Sequence, residues 1–540
     1  MSKNKKHIKR SLVIAGFVLI NFLVIGLIAK VYYEFNSGAD RKNLSSNLVF
    51  STEYNPEILI DTSQLRGRKL TKTILDRVKK DYSQGWYVKN LAFYTQDEGK
   101  INDYYTDSLR KKIRVRLREN FKKELLVESG STIHNLHFKL FSDDGQLLYL
   151  EDKNVEEYTS IYHKDTFQIQ NKSVKNYQVV LLLEDGFWRI RQIHTDSVHS
   201  SFKKEKRNKF QKPNIKGINY YPQQTPWFDF WNNFNEKEVF NDFKKIKDLG
   251  LNCIRIFIPY EGFGKEKVKE DKLENLKKVL DIAQEYKLKI IITFFDFYSN
   301  YSSFNYGSSK LHVKQIIEKI KDHKAVYQYD IKNEPDLDFK LRGKERVLNW
   351  LKFIIKEVRI SDPNKPITIG WSNSKSAENL IKEVDYVSYH FYKSPSVFNK
   401  EYTYLSSLTK KPIIIQEYGK HSFNAFWFPF SNTEYSQAKY YKKMQENFEK
   451  NNIQSFLSWT LYDFPKISTK VFGQFPHKIL PQKHYGCIDF EGNVKPVAQY
   501  LTSSKKKQSI ALCKRINKFT LSLLFTLLIS IYFLYKKCKK

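Results

Sequence analysis

Between residues 215 and 464 the chain repeats one pattern: a short apolar run, then a segment whose apolar positions recur at helical spacing. The runs are 215–221, 252–259, 289–297, 326–333, 367–372, 385–392, 412–417 and 455–464. Helical segments are predicted at 238–249, 273–286, 312–322, 345–360, 376–383, 400–407 and 434–450, with a last one near 497–501. Such alternation points to parallel strands joined by crossover helices. Eight strands with a helix after each is the count of an α/β (β/α)8 TIM barrel, and about 290 residues, 213–503, is a fitting size. An open doubly wound sheet would want a glycine-rich loop after its first strand, and Gly217-Ile-Asn-Tyr220 is not one.

In such a barrel, chemistry is placed at the C-terminal ends of the strands. The fourth run stops at Asn333-Glu334-Pro335, because proline cannot donate to a sheet ladder. Glu334 therefore stands at the mouth. The seventh run leads through Ile413, Ile414, Ile415 and Gln416 into Glu417, with Gly419 marking the turn beyond. A carboxylate ending an apolar strand is costly as mere structure. Two of them can converge across the mouth, as a retaining glycosidase requires of its acid/base and its nucleophile, about 5 to 5.5 Å apart. The competing reading is that each is a capping or ion-paired residue.

Asn333-Glu334-Pro335 and Gln416-Glu417-Tyr418-Gly419 resemble the signature of the clan A glycoside hydrolases, and the cellulase-like family five in particular. The resemblance covers residues 213–503. It implies Glu334 as acid/base, Glu417 as nucleophile and Asn333 as a donor to the sugar's 2-hydroxyl. Arg255 in the second run is similar to the family's nucleophile-supporting arginine. His390 and Tyr392 in the sixth resemble its His-x-Tyr, with the tyrosine hydroxyl near the nucleophile. Trp459 resembles the tryptophan under the reacting sugar. A guanidinium beside Glu417 would keep it ionised, while Glu334 would carry the proton. The third run ends Phe295-Asp296-Phe297, without the histidine many members place there, which leaves the sugar open. The mouth loops are aromatic, and Trp227, Trp231, Trp427 and Trp459 are the expected sugar-stacking positions. Two carboxylates suffice for this chemistry, so neither metal nor cofactor is expected.

Residues 65–200 read as a separate small α+β module. Helices are predicted at 70–82 and 108–123, followed by strands at 135–141, 146–150, 165–170 and 176–183. Glu184-Asp185-Gly186 signals a turn into a last strand, 187–193. That layout resembles a nuclear-transport-factor-two-like cone fold, and a spacer or docking role is expected of it. Residues 32–64 and the charged stretch 201–212 read as linkers.

Two further runs concern the compartment. Residues 11–29 form an apolar stretch of about 19 residues behind a basic flank, and 519–535 one of about 17, preceded by the basic segment 504–518 and followed by four lysines. Segments 1–31 and 519–540 are therefore expected to hold a transmembrane helix each. Both termini would be cytoplasmic and everything between them extracytoplasmic, with a cleavable signal peptide as the competitor at the N-terminus. The 540 residues carry a net charge of +34, but no zinc-ligand pattern, basic heptad helix or single-strand signature, so nucleic acid is not an expected partner. The expected partners are a β-linked glycan, the lipid bilayer and membrane-associated polysaccharide machinery. A transglycosylase would use the same residues; a non-catalytic glycan-binding or scaffold subunit is the alternative that double tethering and the extra module suggest, against which the two carboxylates with Arg255 and Tyr392 speak. The four cysteines make no zinc or disulfide framework, with a Cys253–Cys487 bridge left open.

Overall fold

The computed structural model describes residues 54–199, 208–425, 432–473 and 475–505, together with Gly16, Val18 and Ile20. The expected spans at 11–29 and 519–535 otherwise lie outside the described residues. Among those residues, no helix is long and apolar enough to cross a membrane.

Eight parallel strands close into a barrel. In order they are Ile215–Asn219, Cys253–Pro259, Lys289–Asp296, Val326–Asn333, Ile367–Trp371, Val387–Phe391, Ile413–Tyr418 and Ser455–Ser458. The second, fifth, sixth, seventh and eighth are buried at every position, as strands covered on both faces must be. Helices Glu236–Asp248, Glu270–Glu285, Tyr306–Ile320, Lys344–Ser361, Pro395–Ser407 and Glu434–Lys450 pack outside.

Two predicted helices shrink to 3-10 turns. Residues 376–383 hold only Ser376–Glu378, and the last segment is Pro496–Tyr500. At the first, Asn373 Oδ1 accepts the Ser376 N–H and Asp336 Oδ1 accepts that of Ser372. Such side-chain bonds compete with a regular helix. The eighth strand stops at Ser458, so residues 459–464 belong to its loop. Cys253 and Cys487 are buried free thiols, and no bridge joins them.

The preceding module places helices Lys72–Thr95, Ile101–Tyr104 and Asp107–Lys122 against a seven-stranded sheet. The runs at 165–170 and 176–183 form one strand, Thr166–Glu184, because Leu147–His163 pairs along nearly its whole length. Its turn has Asp185 at φ 48 and Gly186 at φ 80, the left-handed pair a tight hairpin needs. Within the expected linker, Glu57–Asp61 is a strand paired in parallel with Ile133–Phe141. A further strand outside those expected, Leu125–Ser131, pairs antiparallel with Leu147–His163.

Candidate active site

The mouth of the barrel holds a hollow to which Asn333, Glu334, Tyr392, Glu417, Trp227 and Trp459 all contribute. The fourth strand delivers Glu334 because Pro335 ends its ladder, and Glu334 itself turns the chain in the left-handed region (φ 46). The seventh strand delivers Glu417 one residue before its end. Both carboxyls are buried. One oxygen of each, with a ring nitrogen of His390, lies within 4.8 Å of the others.

What touches the two acids differs. Arg255 Nη1 donates to Glu417 Oε1 at 2.5 Å, and the Tyr392 hydroxyl donates to Oε2 at 2.6 Å. His390 Nδ1 lies 2.8 Å from Glu334 Oε1 and 3.4 Å from Glu417 Oε2. Burial pulls the His390 pKa down to about 4, so the imidazole is neutral at pH 7. A permanent cation thus faces Glu417, and a neutral ring faces Glu334. Burial raises the Tyr392 pKa, and the Glu417 charge adds to the effect, so the phenol stays a donor.

Arg255 is fully buried and anchored behind the acids. Its Nε and Nη2 donate to Asp330 Oδ2 at 3.1 and 2.7 Å, Nη1 to Asn219 Oδ1 at 2.9 Å, and Nη2 to Asn333 Oδ1 at 2.9 Å. Gly370 faces this web: a Cβ there would lie 2.9 Å from Arg255 Nη2. Glu334, His390 and Glu417 also have the spacing of a metal ligand set. Arg255 and Tyr392 each donate to one Glu417 oxygen, which leaves each oxygen a further lone pair.

Residues 205–464 match the family described as cellulase (glycosyl hydrolase family 5). This segment is a glycosyl hydrolase family 5 domain. Similar curated proteins include mannan endo-1,4-beta-mannosidase F of Aspergillus clavatus, 22% identical over 227 residues, which are 33% of this chain and 52% of that protein. Another is a probable mannan endo-1,4-beta-mannosidase A of Aspergillus flavus, 22% identical over 225 residues, 31% of this chain and 57% of the relative. The chain spans about half the length of these curated relatives. Among solved structures, an exo-beta-1,4-mannosidase from Opitutaceae bacterium strain TAV5 aligns with a TM-score of 0.44 and 17% identity, over 53% of this chain and 58% of that one.

Within the family 5 domain, Arg255, Asn333, Glu334, His390, Tyr392, Glu417 and Trp459 come together at the mouth. Trp459, linked to Thr460 by a cis peptide bond, meets Tyr221 and Phe257 edge-on. Trp227 lines the hollow with its ring against Phe464 and Phe472. Trp231 does not belong with them. It is 1% exposed, packed against Phe230 and Phe263, and its Nε1 donates to the Phe257 carbonyl at 2.7 Å. Trp427 lies outside the described residues. Sequence reasoning missed Asp330 and Asn219, two of the four residues that hold Arg255 in place. Asp296, noted only as a departure, stands in the wall and accepts from the Tyr221 hydroxyl at 2.9 Å.

Proposed function

We propose that this protein is a retaining glycoside hydrolase of β-linked glycans, with β-1,4-linked mannan the first substrate to test. The observation that carries the reading is the pair Glu334 and Glu417, with carboxyl oxygens within 4.8 Å and unlike surroundings. That spacing suits direct attack by one carboxylate rather than an interposed water. Arg255 and Tyr392 support an anionic Glu417 aimed at the anomeric carbon, and the neutral His390 leaves Glu334 able to carry a proton.

In the first step the Glu334 proton passes to the glycosidic oxygen as the C–O bond breaks, and a Glu417 oxygen bonds to the anomeric carbon. In the second, Glu334, now a carboxylate, takes a proton from water. The hydroxide oxygen displaces Glu417, and the configuration is retained. Asn333, whose Oδ1 accepts from Arg255, is held at the wall of the hollow beside Glu334, where the sugar would lie. Support for the sugar is the naming of the curated relatives as endo-1,4-beta-mannosidases.

The test is a panel of β-mannan, β-glucan and xylan with the wild-type chain and Glu417→Ala. Loss of more than about 1,000-fold in kcat/KM (about 4 kcal/mol of transition-state stabilisation) is expected with the fold intact. NMR should show the β-anomer formed first. Undiminished turnover in the variant would end the assignment. We further propose that the apolar runs 11–29 and 519–535 anchor the enzyme, with its barrel extracytoplasmic; a reporter after Lys540 active only in the cytoplasm is the expected result.

A further inference from the structure

We infer that the α+β module is a working part of the active site, in which Glu128, on the strand Leu125–Ser131, is a positioning residue for Glu334 and for the Asp296–Phe297 wall of the hollow. The inference rests on the reading of Glu334 as proton donor.

Module and barrel interlock. Phe304, in the loop after the third barrel strand, is buried in the module's apolar core against Tyr87 and Tyr94. In return Tyr158 of the module sits in the barrel core against Tyr306 and Phe353. The backbones meet as well: a Cβ on Gly130 would lie 1.9 Å from the Ser303 carbonyl oxygen. Side chains exchanged between two close-packed cores fix the register of the seam, since neither can slide without opening a void.

Glu128 lies in this seam, 1% exposed. Its Oε1 accepts the Ser303 N–H at 3.0 Å and the Ser302 hydroxyl. Its Oε2 accepts the Tyr162 hydroxyl at 2.8 Å and Arg346 Nη2 at 2.7 Å. One buried carboxylate therefore ties the third-strand loop to the helix Lys344–Ser361 that follows the fourth strand. These are the two segments that begin at the hollow, one with Asp296 and Phe297, the other with Glu334. They are joined again nearer the pocket. The Tyr301 hydroxyl donates to Asp338, and Lys332 Nζ donates to the Phe295 carbonyl at 3.4 Å.

The segments need such holding. Phe295, Phe297 and Glu334 all adopt left-handed backbone, at φ 53, 61 and 46. Residues with side chains persist there only where their surroundings over-determine them. Slackening the seam should let Glu334 drift from the leaving oxygen while Glu417, held by Arg255 and Tyr392 on other strands, stays in place.

The chemistry supplies a readout that simple destabilisation does not move. A strongly acidic phenol leaves without protonation, whereas a weakly acidic one needs the proton from Glu334. Glu128→Gln in the full chain is compared with wild type on dinitrophenyl β-mannoside and phenyl β-mannoside, below the melting temperature of both proteins. The expected result is a loss of about tenfold or more in kcat/KM for the phenyl glycoside and about threefold or less for the dinitrophenyl glycoside. Should Glu128→Gln fail to fold, Ser302→Ala, which removes one donor, carries the same comparison. Equal losses on both glycosides, or none on either, would overturn the proposal. Glu417→Ala separates the two readings. If it silences both glycosides while Glu128→Gln lowers both equally, only the positioning role fails. If it leaves both intact, the site assignment fails as well.

Discussion

Arg255 has no water to fall back on. It is fully buried, and its charge is answered by Asp330 on one side and Glu417 on the other. Burial works against its ionisation, yet Asp330 and then Glu417 outweigh that, so its pKa rises above the ordinary arginine value. Asp330 also accepts from Thr293 Oγ1 and the Gly370 N–H, which fixes it as an anchor. Breaking a buried pair costs about 3–5 kcal/mol because a charge is left uncompensated. Asp330→Asn should therefore destabilise the protein by about 3 kcal/mol in urea denaturation and also lower kcat, since Glu417 then answers the guanidinium alone. A loss under about 1 kcal/mol would mean that Asn219 and Asn333 suffice to hold Arg255. Glu334 and Glu417 were legible because each ends an apolar strand. Asp330 was not, since in Tyr329-Asp330-Ile331 it looks like the polar face of an ordinary strand. Only closure of the barrel turns that face inward onto an arginine from the second strand.

Among the elements, the short helix Phe228–Asn232 separates two tryptophans that the sequence cannot tell apart. Trp227 precedes it and reaches the hollow, whereas Trp231, a helical turn later, faces the core. Their alanine variants should fail in different ways. Trp231→Ala should cost about 3–5 kcal/mol of stability, as large-to-small core changes do, with KM unchanged while the protein remains folded. Trp227→Ala should raise KM about tenfold or more, measured on mannan oligosaccharides. A KM increase confined to the Trp231 variant would reverse the two placements. The barrel strands were readable to within a few residues because burial on both faces leaves an apolar run that local sequence displays. The strand Glu57–Asp61 was not, because its partner Ile133–Phe141 lies more than seventy residues away and nothing local marks the pairing. Glu128 was invisible for the same reason: its three partners beyond its own strand pair, Ser302, Ser303 and Arg346, belong to a loop and a helix of the barrel that meet it only once both parts have folded.

For the molecule as a whole, buried histidines make stability depend on pH. Burial drives His312, His390 and His484 down to about 4 and His421 to about 3. An unfolded chain has ordinary histidines near 6.5. Between pH 6.5 and about 4 the unfolded state therefore takes up protons that the folded state refuses. Stability present above pH 6.5 is lost as the pH falls through that window. Asp463 works the other way, since burial raises it to about 6 despite the adjacent Lys495, and its fold favours the proton between pH 4 and 6. Burial also raises Asp81, Glu238, Asp242, Asp336 and Glu357, so the histidine contribution is read by substituting one histidine rather than from the total. His312 isolates the effect, because it packs against Tyr260 and Phe295 on the helix Tyr306–Ile320, with Nδ1 2.7 Å from the Lys265 carbonyl oxygen. A shift from 6.5 to about 4 is worth at most about 3 kcal/mol at 1.36 kcal/mol per pH unit. Chemical denaturation at pH 7 and pH 4.5 reads it. His312→Gln should be destabilised at pH 7 but narrow the gap to wild type at pH 4.5, since glutamine has no proton to refuse. An unchanged gap between the two proteins at both pH values would mean that His312 titrates in the fold as it does in the unfolded chain.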